Sequence, residues 1–410
     1  MMARSMPCIL AAFVALTVPA LALPGDPLPR AKPESVGVDS RKLAQIAVAL
    51  NREIDNKTMP GAVVAIARKG KLVYYEAFGR LDDKSATPMP KNAIFEINSM
   101  TKPLTEVGTL ELFEQGRLML NEPAATYLPQ LANMAVATAT GTEPARRPPT
   151  IQDMMRHTAG VTYGVPEGGG VATTKLSSQY AELMDPKLSA DQFLAKLGSL
   201  PLQYQPGTKW AYSLGLDVTG LAEEAIMKER LGAYLHDSVF VPLGMSDTSF
   251  AVPADKAARM ARPVIFDPFS QLGYDSGGLG AHSTAADYLR FAEMLRQGGS
   301  LGSVHLLGHK TVEYMTSNQL CPDVDTTALR NYPNLNGYGF GLSVAVRREA
   351  GVSGMVGTPG DFNWGGAGGT YFWVDPKEEL TVVLMERTSH DNRVHMRQLI
   401  TTLVYAALMK

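Results

Sequence analysis

Residues 61–78 read GAVVAIARKGKLVYYEAF. The run 61–67 is small and β-branched, Lys69-Gly70-Lys71 turns it back, and 72–78 (LVYYEAF) is its partner, which together write a β-hairpin. Three further strand-like runs lie near the other end of the chain, at 340–346, 370–374 and 380–385, with Asp375-Pro376-Lys377-Glu378 turning between the last two. Asp39 or Ser40 caps a helix that carries Leu43, Ile46, Leu50 and Ile54 on one face, and 393–409 repeats a helical period. From about 102 to 296 the periods are mainly helical, interrupted by loops such as the glycine-rich 164–170.

Both ends of the chain therefore write strands, and the middle writes helices. The expected fold is α+β: an antiparallel sheet flanked by helices, built from residues 23–101 and 272–410, with a mainly helical lobe at 102–271. The groove between the two is the natural place for chemistry.

Composition narrows the function. At 45% hydrophobic residues the chain can bury a large core, which excludes wholesale disorder. A net charge of −2 leaves no basic footprint for nucleic acid. Two cysteines, Cys8 and Cys321, cannot form a disulfide framework or a thiolate zinc site. His305 and His309 have helical ligand spacing, but Gly308 lies between them and no carboxylate accompanies them, so no metal site and no cofactor are expected.

Residues 1–22 have the pattern of an export signal: Arg4, an uncharged apolar run at 9–18, then Ala20-Leu21-Ala22 as a small-x-small cleavage site. The apolar run is shorter than the roughly 20 residues of a membrane span. A periplasmic or secreted protein with no stable membrane span after cleavage is expected, with Cys321 as its only thiol.

The sharpest local feature is Ser99-Met100-Thr101-Lys102, between the extended run 94–98 and a helical run through Leu104, Val107 and Leu110. A serine opening a helix has its N–H and the helix dipole directed at an oxyanion forming beside it. A lysine three residues on lies on the same face and can take or relay the serine proton. The plain alternative is a capping serine followed by a surface lysine, and this spacing occurs about once by chance in such a chain.

Tyr212, after the turn Gln205-Pro206-Gly207, stands at a loop-to-helix junction, where a phenolate beside a lysine can serve as general base. A half-buried structural tyrosine is the alternative. Trp364-Gly365-Gly366-Ala367-Gly368-Gly369 leads into a strand, and paired glycines there allow a close backbone approach to a ligand, or merely a tight bend.

Taken in order, serine-x-x-lysine, tyrosine-serine-x and tryptophan-glycine-glycine resemble the family VIII carboxylesterases, serine hydrolases on the β-lactamase/transpeptidase-like fold of class C β-lactamases and penicillin-binding proteins. The resemblance extends to His157-Thr158-Ala159-Gly160, to residues 242–248 and to residues 277–284. It implies Ser99 as the acylated nucleophile, with Lys102 and Tyr212 as the proton-transfer pair. It also implies the N–H groups of Ser99 and Ala367 as the oxyanion hole, with Trp364, Gly365 and Gly366 on the substrate.

Two departures bear on substrate. The β-lactamases of this fold end the second motif in asparagine, where Leu214 stands here, and begin the third with lysine, where Trp364 stands. Each lost polar anchor is worth on the order of 1.5–3 kcal/mol, which favours an uncharged small-molecule ester over a carboxylate-bearing lactam. The alternatives within the fold are a β-lactamase, a D-Ala-type peptidase or an acyltransferase; outside it stands a non-catalytic periplasmic binding protein, which needs no coupled nucleophile and base. Ala211-Tyr212-Ser213-Leu214-Gly215 falls short of a glycine-x-serine-x-glycine elbow, since loop and not strand precedes it. His157 and His282 are expected to hydrogen-bond structurally near the groove. Oligomeric state has no signature in the sequence.

Overall fold

The computed structural model describes residues 25–84, 86–164, 174–262, 273–332 and 335–410. The export signal expected at 1–22 and the loop expected at 164–170, apart from Gly164, lie outside the described residues. Helix α1 (Ser40–Asp55) precedes strands β1 (Gly61–Arg68) and β2 (Lys71–Gly79). Helices α2 (Thr101–Glu114), α3 (Gly215–Met227) and α4 (Ala285–Arg296) follow, with shorter helices among them. Strands β3 (Tyr338–Phe340), β4 (Ala345–Arg347), β5 (Phe362–Gly365), β6 (Gly369–Asp375) and β7 (Leu380–Arg387) then lead to helix α5 (His390–Ala406).

These strands form one seven-stranded sheet in the order β2-β1-β7-β6-β5-β4-β3, and its neighbouring strands are antiparallel. The first hairpin closes through Lys69 and Gly70, both at positive φ (52° and 72°), the conformation that suits the twist of a tight hairpin. The two ends of the chain meet where β1 pairs β7, with Val64 opposite Leu384. Every residue of β1 is buried because both faces of the sheet are covered, and this is why its sequence runs apolar without alternating.

On one face Ala62, Val64 and Ile66 pack with Leu43, Ile46 and Leu50 of α1 and Met396, Ile400 and Val404 of α5. Asp39 caps α1 by accepting from the N–H groups of Arg41 and Lys42, which satisfies two otherwise orphaned donors. Truncating the wholly buried Ile46 to Ala would cost about 2–5 kcal/mol. On the other face Val63, Ala65 and Ala67 join a core that continues through Phe291 of α4 and Leu104 of α2 to Phe193 and Leu214.

Helix α2 is buried along Thr101–Leu110, so its polar side chains find partners inside the protein. The Thr105 hydroxyl donates to the Gly277 carbonyl at 2.9 Å, Thr109 to Glu223 at 2.6 Å, and Ser343 to Glu106 at 2.8 Å. Burial pushes both carboxyls well above their usual range.

The structure differs from the sequence reading at the far edge of the sheet. The expected single strand 340–346 is broken at Gly341–Val344, with Ser343 at φ 61°, into β3 and β4, which pair with each other. Residues 362–365 form β5, so the glycine-rich segment is the turn of a β5–β6 hairpin. No described helix is long and apolar enough to cross a membrane.

Candidate active site

Phe95–Glu96 pairs with His282–Ser283 as a short ladder, and the chain then winds through a single 3₁₀ turn, Asn98–Met100, into α2. This turn carries Ser99, which is partly exposed, and one helical turn later Lys102 is fully buried. The Lys102 ammonium has three N–H donors. It donates at 2.8 Å to the Gly278 carbonyl, at 2.9 Å to the Tyr163 hydroxyl and at 3.4 Å to Ser99 Oγ, the last at the loose end of the hydrogen-bond range. It also stands 4.7 Å from the ring centroid of Tyr212 and 5.3 Å from that of Tyr163, favourable for a cation over an aromatic face.

A carboxylate lies one layer behind the lysine. Asp217 on α3 is buried and accepts from the Ser276 hydroxyl and, at 3.3 Å, from the Gly278 N–H. Burial raises its pKa, against the opposing pull of the Lys102 charge. Gly278 thus touches the acid through its N–H and the ammonium through its carbonyl. A Cβ there would meet Asp217 at 2.4 Å, so only glycine fits between them.

Tyr212 lies just before α3 and is half-buried, with its hydroxyl accepting the Trp364 indole N–H at 3.3 Å. Its ring packs 4.8 Å from His157 and 5.3 Å from Trp364. His157 is fully buried, and burial together with the Lys102 charge holds its pKa well below the usual value, so the imidazole is neutral. Its Nδ1 bonds Ser213 Oγ at 2.9 Å. Ser213 is therefore sealed in the core and capped on a histidine, unlike an exposed nucleophile at an elbow. Leu214, in the asparagine position, is wholly buried as well. His282 is buried, with its pKa pushed down to about 4 by burial and by Arg387.

The β5–β6 turn faces the Ser99 segment. The Gly366 N–H donates to the Thr370 carbonyl at 2.8 Å, and the Gly368 N–H donates at 3.1 Å to Asn98 Oδ1. Ala367 is exposed at the tip of the turn. Space explains the glycines: a Cβ on Gly365 would meet Arg397 at 2.4 Å, and one on Gly366 would meet the Ile97 carbonyl oxygen at 2.4 Å. Trp364 keeps only 7% of its surface, packed on Tyr212 and Phe340.

Ser99, Lys102, Tyr212 and Trp364 thus come together, with the glycine turn opposite. Sequence reasoning missed Tyr163, Asn98, Asp217 and Gly278. Tyr163 follows the His157–Gly160 match by three residues, and a loop aromatic has no period to mark it. Gly278 lies in a quoted match, but nothing in the sequence says that its carbonyl takes an ammonium.

Four similarities bear on this site. The family model described as Beta-lactamase matches residues 45–405. Protein Rv1367c of Mycobacterium tuberculosis is 32% identical over 356 residues, covering 82% of this chain and 87% of that protein. Esterase EstB of Burkholderia gladioli is 29% identical over 391 residues, covering 88% and 94%. Among solved structures, EstCE1, described as a hydrolase with promiscuous acyltransferase activity, superimposes with a TM-score of 0.75 at 25% identity, covering 89% of this chain and 99% of its own.

Proposed function

The chain belongs to the Beta-lactamase family and is a serine hydrolase on that fold, and from this premise we propose that it is an exported carboxylesterase of the family VIII type that hydrolyses short- to medium-chain, uncharged esters through a Ser99 acyl-enzyme. The observation that carries the reading is the buried Lys102 ammonium, held against Ser99 Oγ by Tyr163 and Gly278.

In this reading the pair works as a Lys102 ammonium beside a Tyr212 phenolate, and the phenolate takes the Ser99 proton as Oγ attacks the ester carbonyl. The N–H groups of Ser99 and Ala367 stabilise the developing oxyanion, and the departing alcohol takes up the proton. Water activated by the same pair then attacks the acyl-enzyme, which releases the acid and restores Ser99 Oγ–H. Trp364 in place of a lysine, and Leu214 in place of an asparagine, support an ester without a carboxylate. Export rests on Arg4, the apolar run 9–18 and the Ala20-Leu21-Ala22 site; an amino-terminal mass that still includes residues 1–22 on protein recovered outside the cytoplasm would rule cleavage out.

The test compares kcat/KM on p-nitrophenyl butyrate and on a chromogenic cephalosporin, each with a Ser99→Ala control. Fast ester turnover, slow lactam turnover and loss of both in the control are expected. Dominant lactam turnover would overturn the ester preference, and activity surviving in Ser99→Ala would overturn the nucleophile.

A second reading has one specific support, the acyltransferase activity in the description of EstCE1. Adding a simple alcohol as acceptor to the same assay distinguishes it: transfer predicts an ester product that grows with alcohol concentration at the expense of free acid.

A further inference from the structure

Asn98 directly precedes Ser99 and has a φ of 44°, in the left-handed region that side chains rarely enter and asparagine tolerates best after glycine. Its side chain is buried, and its Oδ1 accepts the Gly368 N–H at 3.1 Å. Gly368 directly follows Ala367. One hydrogen bond therefore joins the residue before Ser99 to the residue after Ala367.

The surrounding contacts fix each partner of that bond separately. On the turn side, Arg397 Nη2 donates to the Gly366 carbonyl at 2.8 Å, and the Thr388 N–H donates to the Gly368 carbonyl at 2.9 Å. On the serine side, Arg387 Nη1 donates to the Glu96 carbonyl at 3.2 Å, while the Thr370 hydroxyl donates to the Ile97 carbonyl at 3.3 Å. A Cβ on Gly368 would meet Arg387 at 2.5 Å and Asn98 Oδ1 at 3.2 Å, so the turn is pressed against both.

We propose that Asn98 is a positioning residue that sets the spacing between the Ser99 and Ala367 N–H groups, holding the oxyanion hole open at the geometry of a tetrahedral intermediate. This rests on the reading of Ser99 and Ala367 given above. A glycine would accept φ 44° with less strain, so a left-handed turn alone does not require asparagine; the side-chain acceptor is what asparagine adds. Oxyanion donors act on the transition state more than on the bound substrate, so misplacing them lowers kcat more than it raises KM.

The experiment uses the full chain with Asn98→Gly, Asn98→Ala and Asn98→Ser, and Ser99→Ala as control. Asn98→Gly keeps the backbone conformation and removes the acceptor, so kcat is expected to fall about 10- to 100-fold with KM within about threefold. A boronic acid, which forms a tetrahedral adduct on the serine, should lose affinity by a similar factor. Asn98→Ser, one atom shorter, gives the same direction if the glycine variant folds poorly. Wild-type kcat and boronate affinity in Asn98→Gly, with damage confined to Asn98→Ala, would reduce Asn98 to a backbone role and overturn the proposal. Activity retained in Ser99→Ala would instead sink the assignment of the site itself.

Discussion

The Lys102 ammonium donates at 2.9 Å to the hydroxyl of Tyr163, whose ring it also faces at 5.3 Å. Burial, then the nearby Tyr212 and Asp217, hold the Tyr163 phenol well above its usual pKa, so it accepts as a neutral hydroxyl and is not itself a base. A hydrogen bond to a charged group is worth about 1.5–3 kcal/mol. Tyr163→Phe is expected to lower kcat/KM on p-nitrophenyl butyrate about 10- to 100-fold while leaving the fold intact. Unchanged kinetics would mean that Gly278 alone orients the lysine.

Lys102→Ala and Tyr212→Phe are each expected to cost at least about 10²-fold in kcat, the usual scale for positioned proton transfer. Tyr212→Phe keeps the packing on His157 and Trp364 and loses only the hydroxyl that accepts the indole N–H. Near-normal turnover in that variant would remove Tyr212 from the proton path.

Gly366→Ala puts a methyl 2.4 Å from the Ile97 carbonyl oxygen and 2.3 Å from Thr370 Oγ1, both on the walls of the turn. The turn must move, and kcat should fall by about 10²-fold, the scale of losing one oxyanion donor. Ala367→Gly, at the exposed tip, keeps its N–H and should stay within about threefold of the parent. Equal activity in the two variants would detach the turn from catalysis.

Glu386 pairs with Ala62 in the sheet, and neither carboxyl oxygen has a hydrogen-bond partner among the described residues. Burial raises its pKa to about 8, against the pull of Arg397 and with Glu53 adding to the rise. The unfolded carboxyl ionises near 4.5, so this group's stability is complete below that pH and is lost as pH rises towards 8. His282 runs the other way: its contribution is complete above the unfolded value of 6.5 and is lost as pH falls towards about 4. Thermal unfolding of Glu386→Gln should match the parent at pH 5 and exceed it at pH 9, by on the order of 3–5 kcal/mol. An equal difference at both pH values would show that Glu386 is not the group that titrates.

Much of this was legible in the sequence because the sheet's inner strands are apolar runs ended by turn residues. Lys69-Gly70 and Asp375–Glu378 turn where their composition says they should, and Asp39 caps α1. The far edge was harder to read. Strands β3, β4 and β5 are three or four residues long, too short to establish a period, and Gly341–Val344 hides a turn inside an apolar run. At the site, the residues that carry a motif were visible and those that support them were not. Tyr163, Asn98 and Asp217 reach the site through contacts with residues distant in sequence or through an unusual φ, neither of which a linear pattern encodes.

The pairing of Val64 with Leu384 also orders events during synthesis. The ribosome releases β1 long before it makes β7; at roughly 5–20 residues per second the wait is tens of seconds. Throughout it, β1 is a strand apolar from Gly61 to Ala67 with one open edge, a template for any neighbouring chain. A product that stops short of Leu380 never closes that edge, and its fate is aggregation or capture by a chaperone, even though every residue of the Ser99–Lys102 segment is already present.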